Sequence, residues 1–222
     1  MTKKERAVGV VEFLNTRYAA YTSCYLNYKT DYEVLISAIL SAQCTDARVN
    51  MITERLFKKY TCLQDYAGAN LLELEQDIKQ AGFYHEKAKH IRSCAAVLLQ
   101  KHGGQMPREM EELTALDGVG RKTANVIRAF VFNIPCCIVD THVLRLSNRF
   151  GLIETQSPVK AETELIKLIP EEYQILYNTR AIAHGRAICK AQKPKCSECE
   201  LWVCAKREKE FASQTQNAPL KI

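Results

Sequence analysis

The sequence predicts an all-α protein. Segments with apolar residues every three to four positions follow one another along nearly the whole chain of 222 residues, which is the spacing of amphipathic helices. We find no stretch with the two-residue alternation of a strand, no internal repeat and no long linker. Glycine and proline stand between the helical segments rather than inside them. These observations predict about ten short helices.

Residues at the ends of the segments support this prediction. Asp31 stands where an N-cap is expected for segment 31–43. Segments 71–82 and 85–104 end in glycine, and segment 121–132 runs until Asn133 and Pro135. In segment 157–169, Ser157 takes the N-cap and Pro158 the first helical position, where proline fits best. The other helical segments are 47–60, 108–116, 141–151 and 170–185.

Composition narrows the class of protein. Apolar residues make up 47% of the chain and charged residues 25%, as in ordinary globular proteins. No run reaches the roughly 18 apolar residues of a membrane span, and the charged start "MTKKERAVGVVEFLNTRY" lacks a secretory pattern. We therefore expect a cytoplasmic protein without a membrane partner. The net charge of +6 fits a polyanion such as DNA or RNA, although many basic proteins bind neither.

Four of the ten cysteines are grouped near the C-terminus. Cys189, Cys196, Cys199 and Cys204 are separated by six, two and four residues. Thiolates this close suit tetrahedral zinc or an iron–sulfur cluster. The wide, uneven gaps favour a bulky 4Fe–4S cluster over zinc, which usually takes two short Cys-x2–4-Cys hairpins. The remaining six are interpreted as small buried hydrophobic residues: Cys24, Cys44, Cys62, Cys94, Cys136 and Cys137.

The segment between the first two clustered cysteines is basic. Lys190, Lys193 and Lys195 lie on a loop that a metal site would fix at both ends, which suits contact with a phosphate backbone. The alternative is a solvated run of charge. Trp202 is interpreted as a shield between the metal site and water.

Residues 116–127, "LDGVGRKTANVI", predict a helix–hairpin–helix. Gly118 and Gly120 permit a tight turn and expose N–H groups at the start of the next helix, where a phosphate binds without any base being read. A nucleotide-binding loop is excluded, because Arg121 stands where that motif requires glycine and the preceding segment is helical.

Lys122 lies in the first turn of the second hairpin helix. In its uncharged form a lysine amine is a nucleophile, and it can form a Schiff base with an aldehyde-level carbon. The alternative is a lysine that contacts a phosphate or covers the surface. In "CCIVDTHVLRLSNRFG", Asp140 is either an N-cap or a carboxylate that accepts a proton from the lysine. His142 either orders that site or packs.

These motifs together resemble the endonuclease III family of DNA base-excision enzymes. The resemblance rests on "LSAQCTDARVN", "LDGVGRKTANVI", "VDTHVLR" and the clustered cysteines, in the family's order and nearly at its spacing between about residue 30 and Cys204. It implies two helical domains. One is a helical barrel, 24–134, with the helix–hairpin–helix. The other, 1–23 plus 135–222, carries a 4Fe–4S cluster.

The resemblance also implies roles for individual residues. Lys122 matches the catalytic lysine and Asp140 the catalytic aspartate. Gln43 matches the residue that fills the gap left by the extruded nucleotide, and Phe83 the wedge beside the opposite base, where leucine is common. The implied ligands of the cluster are Cys189, Cys196, Cys199 and Cys204; the last gap is four residues where the family usually has five.

The implied function is that of a bifunctional DNA glycosylase and abasic-site lyase. Such an enzyme removes oxidised pyrimidines from duplex DNA by Schiff-base chemistry and nicks the strand by β-elimination. We expect a monomeric, nucleoid-associated bacterial protein whose partner is duplex DNA with damaged pyrimidines or abasic sites. Two alternatives are considered. A non-catalytic helix–hairpin–helix module would need neither Lys122 nor Asp140, and an adenine mismatch glycosylase would lack the lysine and add a C-terminal domain.

Overall fold

The computed structural model describes residues 1–208, and every regular element in that range is helical. The all-α prediction is confirmed. Eleven α-helices begin and end within that range: α1 (Lys3–Arg17), α2 (Asp31–Leu40), α3 (Asp46–Lys59), α4 (Leu63–Ala67), α5 (Leu71–Asp77), α6 (Tyr84–His102), α7 (Met110–Thr114), α8 (Arg121–Phe130), α9 (Thr141–Phe150), α10 (Pro158–Leu168) and α11 (Gln174–Ala187). Short 3₁₀ turns cover Lys79–Ala81, Glu171–Tyr173 and Cys196–Glu198.

The chain divides into two compact units. The central unit is Cys24–Ile134, and the terminal unit joins Met1–Ser23 to the chain from Pro135 onward. Residues 209–222, the end of the second predicted domain, lie outside the described range.

The central unit contains α2 to α8 around one apolar core. Helix α6 packs against α4 and α5, and α2 packs against α8. The helices bury the stripes that their periodicity predicts; in α3, for example, Val49, Ile52 and Leu56 are buried while the charged residues between them face outward. This core holds the loops before α3, α6 and α8, which carry Gln43, Phe83 and the glycine hairpin.

The terminal unit contains α1, α9, α10 and α11 around a second core. Helix α1 buries Ala7, Val10, Val11 and Leu14 and packs against α10 and α11. Helix α9 packs against α11. Three of the four clustered cysteines belong to this core, so the segment that carries them is anchored to the helices.

Local cap chemistry corrects one predicted helix start and confirms another. Asp31 is not an N-cap. Thr30 takes that place: its hydroxyl accepts from Glu33 N at 3.4 Å, and the Glu33 carboxylate accepts from Thr30 N at 3.1 Å. This reciprocal capping box satisfies two backbone donors, which a lone aspartate does not do. Ser157 and Pro158 stand at the N-cap and the first turn of α10, as predicted.

The prediction that glycine stands only between helices is wrong. Gly9 lies within α1 and Gly185 within α11. A Cβ atom on Gly9 would approach Val203 Cγ1 to 3.1 Å. A Cβ atom on Gly185 would approach His142 Nδ1 to 2.6 Å. Both glycines therefore permit close approach of a neighbouring segment, which compensates for their low helix propensity.

The predicted burial of the six scattered cysteines holds for only half of them. Cys94 is buried in the core of the central unit and Cys137 in that of the terminal unit, and Cys136 is also buried. Cys24, Cys44 and Cys62 are half-buried, because they lie in loops or at helix starts rather than on apolar helix faces.

Candidate functional site

In the glycine hairpin between α7 and α8, the backbone conformation requires glycine at one position. Gly118 has a φ of +74°, and a Cβ there would lie 2.5 Å from His90 Nδ1. Gly120 is the extended N-cap of α8, and a Cβ built on it would meet no atom within 4 Å. Because glycine has no capping side chain, no side-chain oxygen caps the first N–H groups of α8. These groups are therefore oriented to bind an anion.

Lys122 follows directly on this hairpin. It is the second residue of α8, and its side chain is exposed, as is that of Arg121. On the opposite face, Ala124 and Ile127 are buried in the central core. The helix is thus anchored along one side while Lys122 is accessible to a substrate.

Gln43 and Phe83 share an unusual backbone conformation. Gln43, between α2 and α3, has a φ of +54°, and Phe83, at the start of α6, has a φ of +49°. Both side chains are exposed, Phe83 by 67%. Residues other than glycine rarely adopt this left-handed region unless the surrounding structure holds them there.

Lys87 contacts the backbone of both of these loops. Its ammonium donates to the carbonyl oxygens of Leu40, Ala42 and Ala81 at 2.8, 2.7 and 2.9 Å. Reasoning from the sequence missed this residue, since no motif distinguishes a lysine in the first turns of a helix from a surface lysine.

In the terminal unit, Asp140 is the N-cap of α9. One carboxylate oxygen accepts from Val143 N at 2.7 Å. The residue is half-buried and follows the buried segment Cys136–Val139. The N-cap interpretation is thus confirmed, and the second carboxylate oxygen is not used in that hydrogen bond.

His142 lies in the first turn of α9 and, through Arg145, is linked to the segment that carries the clustered cysteines. Its Nδ1 is 3.2 Å from the Arg145 guanidinium, which also donates to the carbonyl oxygen of Cys189 at 3.1 Å. Burial lowers the pKa of Arg145, and the nearby Arg149 lowers it further.

The four clustered cysteines line a single cavity. Cys189, Cys196, Cys199 and Cys204 all contribute to the wall of one pocket in the terminal unit. Phe150, His184, Ile188 and Pro194 supply uncharged parts of its wall. Among the described residues, no three His, Cys, Asp or Glu side chains are arranged to hold a single metal ion.

Hydrogen-bonding groups accompany these sulfur atoms. An Arg149 N–H lies 3.4 Å from Cys189 Sγ, and His184 Nε2 lies 3.8 Å from Cys199 Sγ. Burial lowers the pKa of His184 to about 4, so the imidazole is uncharged near neutral pH. Burial raises the pKa of the Cys199 and Cys204 thiols. Buried thiolates become stable only next to positive charge, which a cationic metal group supplies.

The basic loop, residues 190–195, is held by Arg149. The Arg149 guanidinium donates to the carbonyl oxygens of Lys190 and Ala191 at 2.6 and 2.8 Å. The side chains of Lys190, Lys193 and Lys195 are exposed. Lys195 forms an ion pair with Glu198 at 2.9 Å, so its charge is partly offset.

The predicted role of Trp202 is wrong. Its side chain is 70% exposed, and it does not contribute to the wall of the cysteine cavity. Its neighbours Leu201 and Val203 are buried instead, which turns Trp202 to the surface.

Comparison with known proteins identifies the family. The model of the HhH-GPD superfamily of base excision DNA repair proteins matches residues 36–171. Endonuclease III of Synechocystis sp. is 43% identical over 201 residues, which cover 90% of this chain and 91% of the relative. The chain belongs to the endonuclease III family.

Solved structures of endonuclease III have the same fold as this chain. A non-covalent endonuclease III–DNA complex matches with a TM-score of 0.88 and 41% identity, covering 96% of this chain and all of the other. A trapped endonuclease III–DNA covalent intermediate matches with a TM-score of 0.87 and 41% identity, covering 95% and 99%. Within residues 1–208, no helix is long and apolar enough to cross a membrane.

Proposed function

We propose that this protein is a bifunctional DNA glycosylase and abasic-site lyase of base excision repair that acts on oxidised pyrimidines in duplex DNA. The observation that carries the proposal is an exposed lysine, Lys122, in the first turn of α8, directly after the glycine hairpin. The similarity to an endonuclease III trapped covalently on DNA supports it, since this similarity extends over nearly the whole chain.

DNA binding begins with phosphates at the hairpin. The first N–H groups of α8, next to Gly118 and Gly120, would donate to a phosphate, and Arg121 would add charge. Lys190, Lys193 and Lys195 would contact other phosphates from the terminal unit. None of these contacts reads a base, which suits an enzyme that must find damage in any sequence.

Extrusion of the target nucleotide is assigned to the central unit. A base stacked in a duplex cannot be reached by a nucleophile, and flipping it out costs unstacking energy. Gln43 would fill the vacated position and Phe83 would insert beside the opposite base. Both side chains are exposed on short loops, as this role requires.

The chemistry is assigned to Lys122 and Asp140. The Lys122 amine attacks the anomeric carbon of the damaged nucleotide, the bond to the base breaks, and the base leaves with the electron pair. Asp140 accepts the proton that the amine loses and offsets positive charge on the sugar. The C1′–O4′ bond of the sugar ring then breaks, its electron pair and a proton pass to O4′, and the bond between C1′ and the lysine nitrogen becomes a protonated Schiff base. The Schiff base activates the neighbouring carbon of the sugar for loss of a proton, and elimination of the 3′ phosphate nicks the strand. His142, held between Arg145 and α11, would order this region for DNA.

We further propose that Cys189, Cys196, Cys199 and Cys204 hold a 4Fe–4S cluster. All four cysteines line one pocket, and their uneven gaps of six, two and four residues suit a cubane better than a zinc ion held by two short hairpins. When bound, the cluster would cross-link the cysteine segment and thereby fix the basic loop. The terminal unit would then be the cluster domain and Cys24–Ile134 the helical barrel domain. We also propose that the protein acts as a monomer on the chromosome in the bacterial cytoplasm.

Covalent trapping tests the proposed chemistry. Wild-type protein, mixed with borohydride and a duplex that carries an oxidised pyrimidine, should form a stable protein–DNA complex, because borohydride reduces the imine. Lys122→Gln should bind the duplex but neither release the base, nick the strand nor trap. The neighbouring Arg121→Gln is the matched control: it should bind more weakly yet still trap. A Lys122→Gln protein that still trapped would refute the assignment of the nucleophile.

The same experiment separates the alternatives. If the protein were a non-catalytic DNA-binding module, neither the wild type nor any variant would form the covalent complex with DNA, and none would nick an abasic site. An adenine mismatch glycosylase would release adenine opposite an oxidised guanine and leave oxidised pyrimidines in place.

A further inference from the structure

Lys87 is a buried lysine whose charge is satisfied entirely by backbone. Its exposed fraction is 4%, although lysine is almost never fully buried unless it is paired. No ion pair of its ammonium is seen in the range 1–208. Its three N–H groups instead donate to three carbonyl oxygens at 2.7–2.9 Å, which uses the full donor capacity of an ammonium.

The three acceptors belong to the two loops assigned to nucleotide extrusion. Leu40 is the last residue of α2, and Ala42 directly precedes Gln43. Ala81 ends the 3₁₀ turn two residues before Phe83. Leu40 and Lys87 are 47 positions apart in the sequence, so their contact joins two distant segments of the chain.

Helix geometry favours a cation at this point. The carbonyl oxygen of Leu40 is among the last of α2, which have no partner within the helix. The negative end of the α2 dipole also stabilises positive charge there. Burial lowers the pKa of Lys87, and the three carbonyls offset that cost of desolvation.

Both loops carry a residue in a conformation that does not persist by itself. Gln43 and Phe83 have φ values of +54° and +49°. Such residues keep this backbone only where the surroundings fix it. The Lys87 ammonium holds the carbonyl one residue before Gln43 and the carbonyl two residues before Phe83, so one group restrains both.

We propose that Lys87 is a positioning residue that fixes Gln43 and Phe83 relative to each other and so prepares the central unit to extrude the target nucleotide. The inference rests on the proposed function, because it presumes that these two side chains enter the DNA stack. Insertion of these side chains offsets the free-energy cost of unstacking most fully when they are already in place. If they became ordered only during binding, the entropy lost would consume part of the free energy that insertion gains.

The test compares two substrates in single-turnover reactions. One duplex carries an oxidised pyrimidine that the wild type releases, and the other carries a ready-made abasic site, where no base needs to be extruded. Lys87→Met keeps the length of the side chain and removes its donors. We expect base release to slow about tenfold or more, and abasic-site nicking to slow less than about threefold.

Two further measurements separate positioning from simple destabilisation. Leu98→Ala removes a fully buried side chain from the same helix, three turns away from Lys87, and should slow both reactions alike. A Lys87→Met, Gln43→Ala double variant should be clearly less than about tenfold slower in base release than Gln43→Ala alone, since only Phe83 is then left for Lys87 to position. Fluorescence of a 2-aminopurine beside the lesion should rise on binding to the wild type and less on binding to Lys87→Met.

If Lys87→Met does not fold, Lys87→Arg replaces it. The planar guanidinium keeps the charge but cannot direct three N–H groups at the same three carbonyls, so the same difference between substrates is expected. Equal slowing on both substrates, or full additivity with Gln43→Ala, would overturn the role of Lys87. A wild type that neither releases the base nor nicks the abasic site would overturn the proposed function itself, which is a separate result.

Discussion

The carboxylate of Asp140 accepts a hydrogen bond from Val143 N at 2.7 Å and thereby caps α9. The residue assigned as proton acceptor is therefore also a structural residue. One oxygen supports the helix, and the other is left for chemistry. The two roles can be separated by substitution, because asparagine caps a helix about as well as aspartate but does not accept a proton near neutral pH.

Asp140→Asn is expected to retain stability and lose turnover. Its melting temperature should stay near that of the wild type, while base release falls by at least about a hundredfold because general-base catalysis is lost. Asp140→Ala should lose the same activity and in addition about 1 kcal/mol of stability, as other N-cap deletions do. Thermal unfolding and single-turnover kinetics measure the two effects. An active Asp140→Asn would assign the residue to the cap alone.

Cys199→Ser is expected to lose its iron. Purified wild type should be coloured and contain about four irons per chain, whereas the serine variant should be colourless and less soluble. Cys62→Ser is the control: Cys62 stands at the N-cap of α4 in the central unit, where serine is favoured, so its iron content should not change. Metal analysis and the visible spectrum decide the result. Stoichiometric zinc in a colourless wild type would contradict the cluster assignment.

Lys193→Glu is expected to weaken DNA binding equally for damaged and undamaged duplexes. Lys193 is an exposed residue of the basic loop, and loss of one phosphate contact should lower the slope of log K against log salt by about one. The control is Lys160→Glu, the same charge change on α10, which carries none of the proposed contacts; its slope should match the wild type. Titrations at several salt concentrations measure both. A loss confined to one lesion at an unchanged slope would place Lys193 in lesion recognition instead.

Local pattern was sufficient to predict the helices and several of their ends. Helical periodicity located α3, α6 and α8, because a buried face requires apolar residues at fixed intervals. Ser157 and Pro158 marked the start of α10 correctly, since capping is a contact within a few residues. Asp31 was assigned wrongly because the adjacent Thr30 offers the same hydroxyl chemistry together with Glu33 three residues later. The five-residue helix α4 is too short to show a period.

The sequence by itself determined the identity of the reactive groups: a lysine after a glycine hairpin, an aspartate before a helix, and four cysteines at uneven spacing. Only the tertiary structure decided what surrounds them. In the sequence, nothing distinguishes Lys87 from an ordinary helical lysine. In the structure, the end of α2 and the turn before α6 place three carbonyl oxygens around its ammonium. From the sequence, Gly185 is expected at the end of a helix. In the structure it lies within α11, and His142 occupies the space that a side chain at this position would need. Spacing along a chain reports contacts within one or two turns, whereas the contacts of Lys87 with Leu40 and Ala42 and of Gly185 with His142 join residues more than 40 positions apart. They exist only because each of the two apolar cores holds its own helices in place.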